Sequence, residues 1–161
     1  MSQRPMNEGD ETWMDVALRE AEKAGAVGEV PVGCIIVAER RIVGWGGNAR
    51  ESQQDPTAHA EIAAIRQAAR AFPSWRLSDA TAYVTLEPCA MCAGAFVNAR
   101  VARVVYGCSD PKAGAIHTMF GIGLDPRLNH RFDVTAGVRE AECRGVLQRF
   151  FGELRRASAG P

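Results

Sequence analysis

Residues 83–92 are YVTLEPCAMC, and this stretch decides how the middle of the chain folds. Its apolar first half predicts a central strand over 83–86. Pro88 ends that strand and favours a helix that begins near Cys89. A second apolar run at 101–106 predicts the next strand. Because a helical crossover joins the two strands, we expect them to lie parallel in one sheet.

The flanking segments extend this unit into a five-stranded α/β fold. Thr12 is expected to cap a first helix, with Gly25 as its stop. The other predicted elements are a strand at 31–37, its hairpin partner at 42–46, a helix opened by residues 55–57 that ends near 72, an edge strand at 132–135 and a helix at 139–156. A long loop at 108–131 precedes the edge strand.

Length and composition predict one globular domain over residues 12–156, with flexible tails at 1–11 and 157–161. The 161 residues are 47% hydrophobic and 24% charged, and no apolar run has the length of a membrane span. The five cysteines are an odd number and no secretory signal precedes them, which favours a reducing, cytoplasmic location. With 19 basic and 19 acidic residues, net charge neither favours nor excludes a nucleic-acid partner.

Four side chains in two short motifs carry the candidate chemistry: His59 and Glu61 in TAHAE, and Cys89 and Cys92 in PCAMC. One histidine and two cysteines can bind zinc through nitrogen and sulfur. Three protein ligands leave one coordination position open, which is the arrangement that activates water. Glu61 is then available to move protons rather than to bind the metal. Both motifs are predicted at helix N-termini, where partial positive charge stabilises thiolates.

Two simpler interpretations of the cysteine motif stay open at this point. A C-x-x-C segment could be a redox pair or half of a structural zinc site. A redox pair leaves His59 and Glu61 without a role, and a structural site needs a fourth ligand of its own. The remaining cysteines, Cys34, Cys108 and Cys143, are expected to be packing residues.

The pattern H-x-E…P-C-x-x-C is the signature of the zinc-dependent deaminases, and the similarity extends well beyond it. Over residues 12–156 the chain resembles the bacterial tRNA-specific adenosine deaminases, which convert wobble adenosine to inosine. The matching segments are 29–33, Asn48, 55–62, 83–95, 110–115, 125–131, 142–143 and 150–151. One segment departs from that family, which usually has a small Gly-Ser pair where this chain has IHTMF at 116–120.

The resemblance implies a three-layer α/β/α sandwich around a mixed five-stranded sheet, of the cytidine-deaminase-like kind, in a homodimer. It implies one zinc ion per chain, with Glu61 as the proton shuttle and His59, Cys89 and Cys92 as ligands. The implied substrate-binding residues are Asn48, which holds the purine, Glu29 and Val32 at the pocket wall, and Asp110 and Lys112 in the loop that meets RNA. The implied partner is a tRNA anticodon stem-loop, in particular that of an arginine tRNA with anticodon ACG.

Two other functions are compatible with the same motifs. A deaminase of free guanine, cytosine or nucleosides would use the same zinc chemistry, although segments 110–112 and 129–131 are more similar to the tRNA enzymes. A non-catalytic, zinc-containing RNA-binding subunit would have no use for a proton shuttle. The presence of Glu61 therefore favours an enzyme.

Overall fold

A computed structural model describes residues 3–160, and its strands and helices follow the predicted order with one short additional helix, α2. The strands are β1 (Gly33–Ala38), β2 (Arg41–Gly47), β3 (Thr81–Leu86), β4 (Arg103–Cys108) and β5 (Asp133–Ala136). The helices are α1 (Asp10–Ala26), α2 (Arg50–Gln53), α3 (Ala60–Ala71), α4 (Ala90–Asn98) and α5 (Glu140–Ser158). Residues 1, 2 and 161 of the predicted tails lie outside the described residues.

The five strands form one mixed sheet in the order β2-β1-β3-β4-β5. β1 is antiparallel to both β2 and β3, whereas β3, β4 and β5 are parallel to one another. Helices α1 and α5 pack on one face, and α3 and α4 pack on the other. The predicted α/β/α sandwich, including the parallel pairing of β3 and β4, is therefore confirmed.

Alternation along β3 explains why both faces of the sheet are covered. Ala82 and Val84 belong to the core beneath α3 and α4, whereas Tyr83 belongs to the core beneath α1 and α5. Successive side chains of a strand point to opposite faces, so a strand that is buried at successive positions needs a helical layer on each side. The three cysteines expected to pack, Cys34, Cys108 and Cys143, are buried free thiols in these cores.

Glycines set how closely the helices approach the sheet. A Cβ atom on Gly33 would collide with the carbonyl oxygen of Ala17 in α1, and a Cβ on Gly44 with that of Ala64 in α3. Small residues on both sides thus bring the helix backbones against β1 and β2. The close approach fixes the height of α3, whose N-terminus carries His59.

The N-terminal segment differs from its prediction. Helix α1 begins at Asp10, after Gly9 with a φ of 100°, so Thr12 lies inside the helix and is not its cap. Gly25 lies in the last turn rather than at the stop. Nearer the terminus, the N–H of Arg4 donates to the carbonyl of Val134 in β5 at 2.9 Å. Residues 3–4 and 10–11, which the sequence analysis placed in a tail, therefore belong to the folded structure.

A buried ion pair explains why α1 starts where it does. Asp10, 1% exposed, accepts two hydrogen bonds from the guanidinium of Arg103, at 2.9 and 2.7 Å, and one from the hydroxyl of Tyr83 at 2.9 Å. Arg103 also donates to the hydroxyl of Thr135 at 2.6 Å. The network joins the first turn of α1 to β3, β4 and β5.

No helix among residues 3–160 combines the length and the apolar character needed to cross a membrane.

Candidate active site

Two helix N-termini come together beyond the end of β3. His59 immediately precedes α3 and Cys89 immediately precedes α4, and both have extended backbones with φ of −84° and −71°. Asp55 accepts hydrogen bonds from the N–H and the hydroxyl of Thr57, at 2.8 and 2.7 Å, which folds the chain into a turn ahead of His59. Both helices therefore direct their positive ends at the same place.

The donor atoms of His59, Cys89 and Cys92 lie within 4.8 Å of one another. Nδ1 of His59 is 3.7 Å from Sγ of Cys89 and 3.5 Å from Sγ of Cys92. Zinc bonds of about 2.0–2.1 Å to nitrogen and 2.3 Å to sulfur, at tetrahedral angles, separate such donors by about 3.6 Å. The group can therefore bind a metal ion, and its dimensions fit zinc.

This geometry also bears on the two simpler interpretations of the cysteine motif. A redox pair would not need an imidazole at ligand distance from both sulfurs. A structural zinc site would need a fourth protein ligand, and within residues 3–160 no other histidine, cysteine or carboxylate joins the group. Three donors with one coordination position left open are the arrangement found in catalytic zinc sites.

Hydrogen bonding between the two sulfurs polarises the cluster. It lowers the pKa of Cys89 to about 4 and raises the pKa of Cys92 above its ordinary value. The hydrogen bond between His59 and Cys89 raises the pKa of His59. Cys89 is consequently a thiolate at neutral pH, which is the form of cysteine that binds metals.

Glu61 lies in the first turn of α3 and is 4% exposed. Burial raises its pKa to about 7, because a carboxylate loses its hydration in that position. A carboxyl group with a near-neutral pKa can both accept and release protons at neutral pH, as general acid–base catalysis requires. Glu61 is not one of the three clustered donors, so it remains free for this role.

A cavity of about 190 Å³ opens over these groups. Its wall is built from three parts of the chain around His59, Glu61 and Cys89. The other lining residues are Val30, Val32, Asn48, Arg50, Ala60, Asp110 and Ala113. Two larger depressions, each about 540 Å³, lie along the loop after β4 and do not border the cluster.

Of the three substrate-binding residues predicted before α3, two line the cavity and one is not among the lining residues. Val32 and Asn48 are lining residues, and the N–H of Asn48 donates to the carbonyl of Val32 at 3.1 Å. Glu29 instead accepts hydrogen bonds from the N–H groups of Ser52 and Glu51, at 2.6 and 3.2 Å. Glu29 is not among the lining residues, and these bonds hold the N–H groups of α2; its place at the pocket wall stays a prediction.

The loop after β4 supplies the opposite wall. Asp110 lines the cavity, and its carboxylate accepts the N–H groups of Lys112 and Ala113, at 2.9 and 3.2 Å. Lys112 is exposed and lies outside the lining. His117, in the segment that departs from the family pattern, contacts the hydroxyl of Tyr106 at 2.7 Å and is not part of the metal-binding group.

Sequence reasoning missed Val30, Arg50, Ala60 and Ala113 on the cavity wall, and it assigned no role to Glu87. Arg50 follows Asn48 by two residues in the same turn, so its position was a usable signal. Glu87 was visible only as a carboxylate between a strand and Pro88. Its partners are three backbone N–H groups and one hydroxyl, 23 to 31 residues away, which no spacing reveals.

Comparisons with known proteins agree with this site. The model of the MafB19-like deaminase family matches residues 8–155. The tRNA-specific adenosine deaminase of Bacillus subtilis (strain 168) is 48% identical over 147 residues, which are 91% of this chain and 91% of that protein.

Two solved structures are also similar. One comes from biochemical and structural studies of A-to-I editing by tRNA:A34 deaminases at the wobble position of transfer RNA; it is 43% identical with a TM-score of 0.81 over 84% of this chain and 99% of that one. The other, a guanine deaminase from Bacillus subtilis, is 37% identical with a TM-score of 0.60 over 65% of this chain and 66% of that one. On the breadth and identity of these matches, the chain belongs to the family of tRNA-specific adenosine deaminases.

Proposed function

We propose that this enzyme hydrolyses the 6-amino group of adenosine at the wobble position of a tRNA anticodon, giving inosine and ammonia. The observation that carries the proposal is a buried carboxyl, Glu61, beside a three-donor metal-binding group at the floor of a narrow cavity. The family match supplies the class of substrate.

His59, Cys89 and Cys92 would hold one zinc ion per chain. When bound, zinc supplies the Lewis acidity that lowers the pKa of water from 15.7 to about 7. The separations between the three donors support this assignment. The proton transfers of the reaction would be made by side chains beside the metal-binding group.

Glu61 would move the protons. Its carboxylate accepts a proton from the attacking water and delivers it to N1 of the purine as the C6–O bond forms. It then takes the proton of the new C6 hydroxyl and passes it to the amino group, which leaves as ammonia as the C6–N bond breaks and the C6 carbonyl forms. The pKa of about 7 suits both directions of transfer.

The small volume of the cavity suits a single base as the group that enters it. Its volume of about 190 Å³ is below the roughly 300–1,000 Å³ of pockets that bury drug-sized ligands. A base must leave its stack to enter, and the bases of an anticodon loop do so at low cost. Asn48 would bind the purine and Val32 would pack against it. Asp110 and the exposed Lys112 would face the RNA on either side of the base.

We assign the substrate, within this proposal, to an arginine tRNA with anticodon ACG. The active species would be a homodimer, since a small domain offers limited surface to an RNA hairpin. A cytoplasmic location is consistent with five free cysteines, because such thiols persist in a reducing compartment.

The test is incubation with an anticodon stem-loop that contains ACG, followed by digestion and quantification of inosine. A stem-loop with GCG is the matched control, and free adenosine, guanine and cytosine are run in parallel. Inosine should form only at the first anticodon position of the ACG stem-loop. Inosine yield should fall as salt rises, because cationic side chains displace counterions from phosphate.

A second candidate, deamination of free guanine, is favoured by the similarity to the guanine deaminase structure. It would use the same zinc ligands and the same proton shuttle. Efficient conversion of guanine to xanthine with an untouched ACG stem-loop would establish it in place of the tRNA function.

A further inference from the structure

Glu87 is a buried carboxylate that the proposed chemistry does not use. It is 2% exposed and lies between the end of β3 and Pro88. Oε1 accepts the N–H groups of His117 and Thr118, at 2.8 and 3.0 Å. Oε2 accepts the N–H of Asp110 at 3.2 Å and the hydroxyl of Thr118 at 2.6 Å. The two carboxylate oxygens thus accept four hydrogen bonds from one loop.

The groups that contact the carboxylate of Glu87 are hydrogen-bond donors, so they suit an anion that only accepts hydrogen bonds. Within residues 3–160 no lysine or arginine forms an ion pair with Glu87, so its charge is balanced by dipoles of the loop alone. An amide in its place would present two N–H donors to groups that are themselves donors. A Cβ atom added to Gly114 would collide with Oε2 of Glu87, so the loop backbone fits closely around the carboxylate.

The loop held in this way forms one wall of the cavity. Asp110 and Ala113 line the cavity, and both lie within residues 110–118, the segment that carries the donors to Glu87. The backbone adds two further links, since the N–H of Glu87 donates to Cys108 and the carbonyl of Pro88 accepts from Ala115, at 2.8 and 2.9 Å. The anchor itself lies two residues before the metal-binding Cys89.

We infer that Glu87 is a positioning residue that sets the distance between the substrate-facing loop and the metal-binding cysteines. It acts through Asp110 and Ala113 and does not touch the reacting atoms. The inference rests on the proposed function for its substrate. The contacts that it invokes lie within this chain, so they can be measured without substrate.

Two variants approach the same contact from opposite sides. Glu87→Gln keeps the shape of the side chain and replaces an acceptor by a donor, whereas Gly114→Ala pushes the loop away from an intact carboxylate. Each should keep one zinc per chain and lose about 10–100-fold in kcat/KM for the ACG stem-loop, mostly through a higher KM. Hydrogen exchange in peptides covering 109–118 should become about 10–100-fold faster. Thr118→Val, which removes one of the four donors, should show a smaller loss of the same kind.

Asp10→Asn is the matched control, since Asp10 is also a buried carboxylate that joins separate segments but does not line the cavity. It should lower the melting temperature and leave both KM and loop exchange at wild-type values. The inference is overturned if Glu87→Gln retains wild-type KM and exchange, if its loss of activity follows loss of zinc, or if Asp10→Asn raises KM equally. A wild-type enzyme that ignores the stem-loop would refute the proposed function, and loop exchange would still decide the role of Glu87.

Discussion

At the scale of single residues, His59 has a task that no neighbouring side chain can take over. It is the one nitrogen donor of the metal-binding group, and Cys89 and Cys92 alone would leave two ligands. His59→Ala should therefore reduce bound zinc from one per chain to a small fraction and abolish deamination. Elemental analysis of the purified variant checks this, with His130→Ala as control because Nε2 of His130 donates to the carbonyl of Val101 instead. Full zinc in His59→Ala would contradict the ligand assignment.

Substitution of Glu61 should lower turnover without affecting metal binding. Glu61→Gln preserves the size of the side chain and cannot carry the proton, so kcat should fall by about 10²–10⁴-fold or more while zinc content stays at one per chain. Single-turnover assays on the ACG stem-loop, paired with elemental analysis, measure both quantities. A variant with near-normal turnover would show that another group moves the protons.

The sequence could predict that the two motifs meet because each lies at a helix start that local rules identify. His59, Cys89 and Cys92 indeed form one group. The partners of Glu29 could not be predicted, because a buried carboxylate can face either a cavity or backbone N–H groups, and spacing does not distinguish the two. Glu87 could not be assigned because its donors belong to a loop without regular structure.

At the scale of elements, the contact between β2 and α3 depends on Gly44. Gly44→Ala would drive a methyl group into the carbonyl of Ala64, so we expect a loss of about 1–3 kcal/mol in the free energy of unfolding. Gly94→Ala is the control, because Gly94 lies in α4 with no atom within 4 Å of an added Cβ. That change should be neutral or stabilise by up to about 1 kcal/mol through helix propensity. Urea unfolding of both variants measures the difference, and equal midpoints would contradict the packing argument.

Most elements were predictable because the periodicity of their apolar residues and the residues that mark their ends are local features of the sequence. The hairpin between β1 and β2 turns where predicted, with Glu39 and Arg40 at φ of 49° and 61°. Helix α2 escaped prediction because its four residues carry no apolar pattern and two of their N–H groups donate to the distant Glu29. The true start of α1 was hidden for a similar reason, since the partner of Asp10 is 93 residues away.

At the scale of the whole molecule, the ion pair of Asp10 and Arg103 joins the first helix to the sheet. Asp10→Asn leaves the guanidinium, 4% exposed, without its counter-charge, which should cost about 3–5 kcal/mol of unfolding free energy at pH 7. Equal stability of the two proteins at pH 7 would show that the pair contributes nothing.

The same pair predicts how that cost varies with pH. Burial acts to raise the pKa of Asp10, but hydrogen bonds from Arg103, Asn7 and Tyr83 outweigh it and hold the pKa below 3.8. The unfolded chain therefore binds the proton first, so the stabilisation is present above pH 3.8 and is lost as pH falls through the lower, folded pKa. The gap between wild type and Asp10→Asn should thus be constant from pH 5 to 7 and shrink below about pH 4 in urea titrations.

The pairing of Gln3 and Arg4 with β5 has a consequence for the aggregation of this protein during storage. An outer strand with unpaired N–H and C=O groups is a template on which another copy can add its own strand. The N-terminal segment shields that side of β5. Arg4→Pro removes the N–H that Val134 accepts, and it should leave fresh protein fully active yet prone to form large, concentration-dependent aggregates over days. Light scattering during storage would reveal the change, and a stored variant that stays as disperse as wild type would show that the sheet is protected without these two residues.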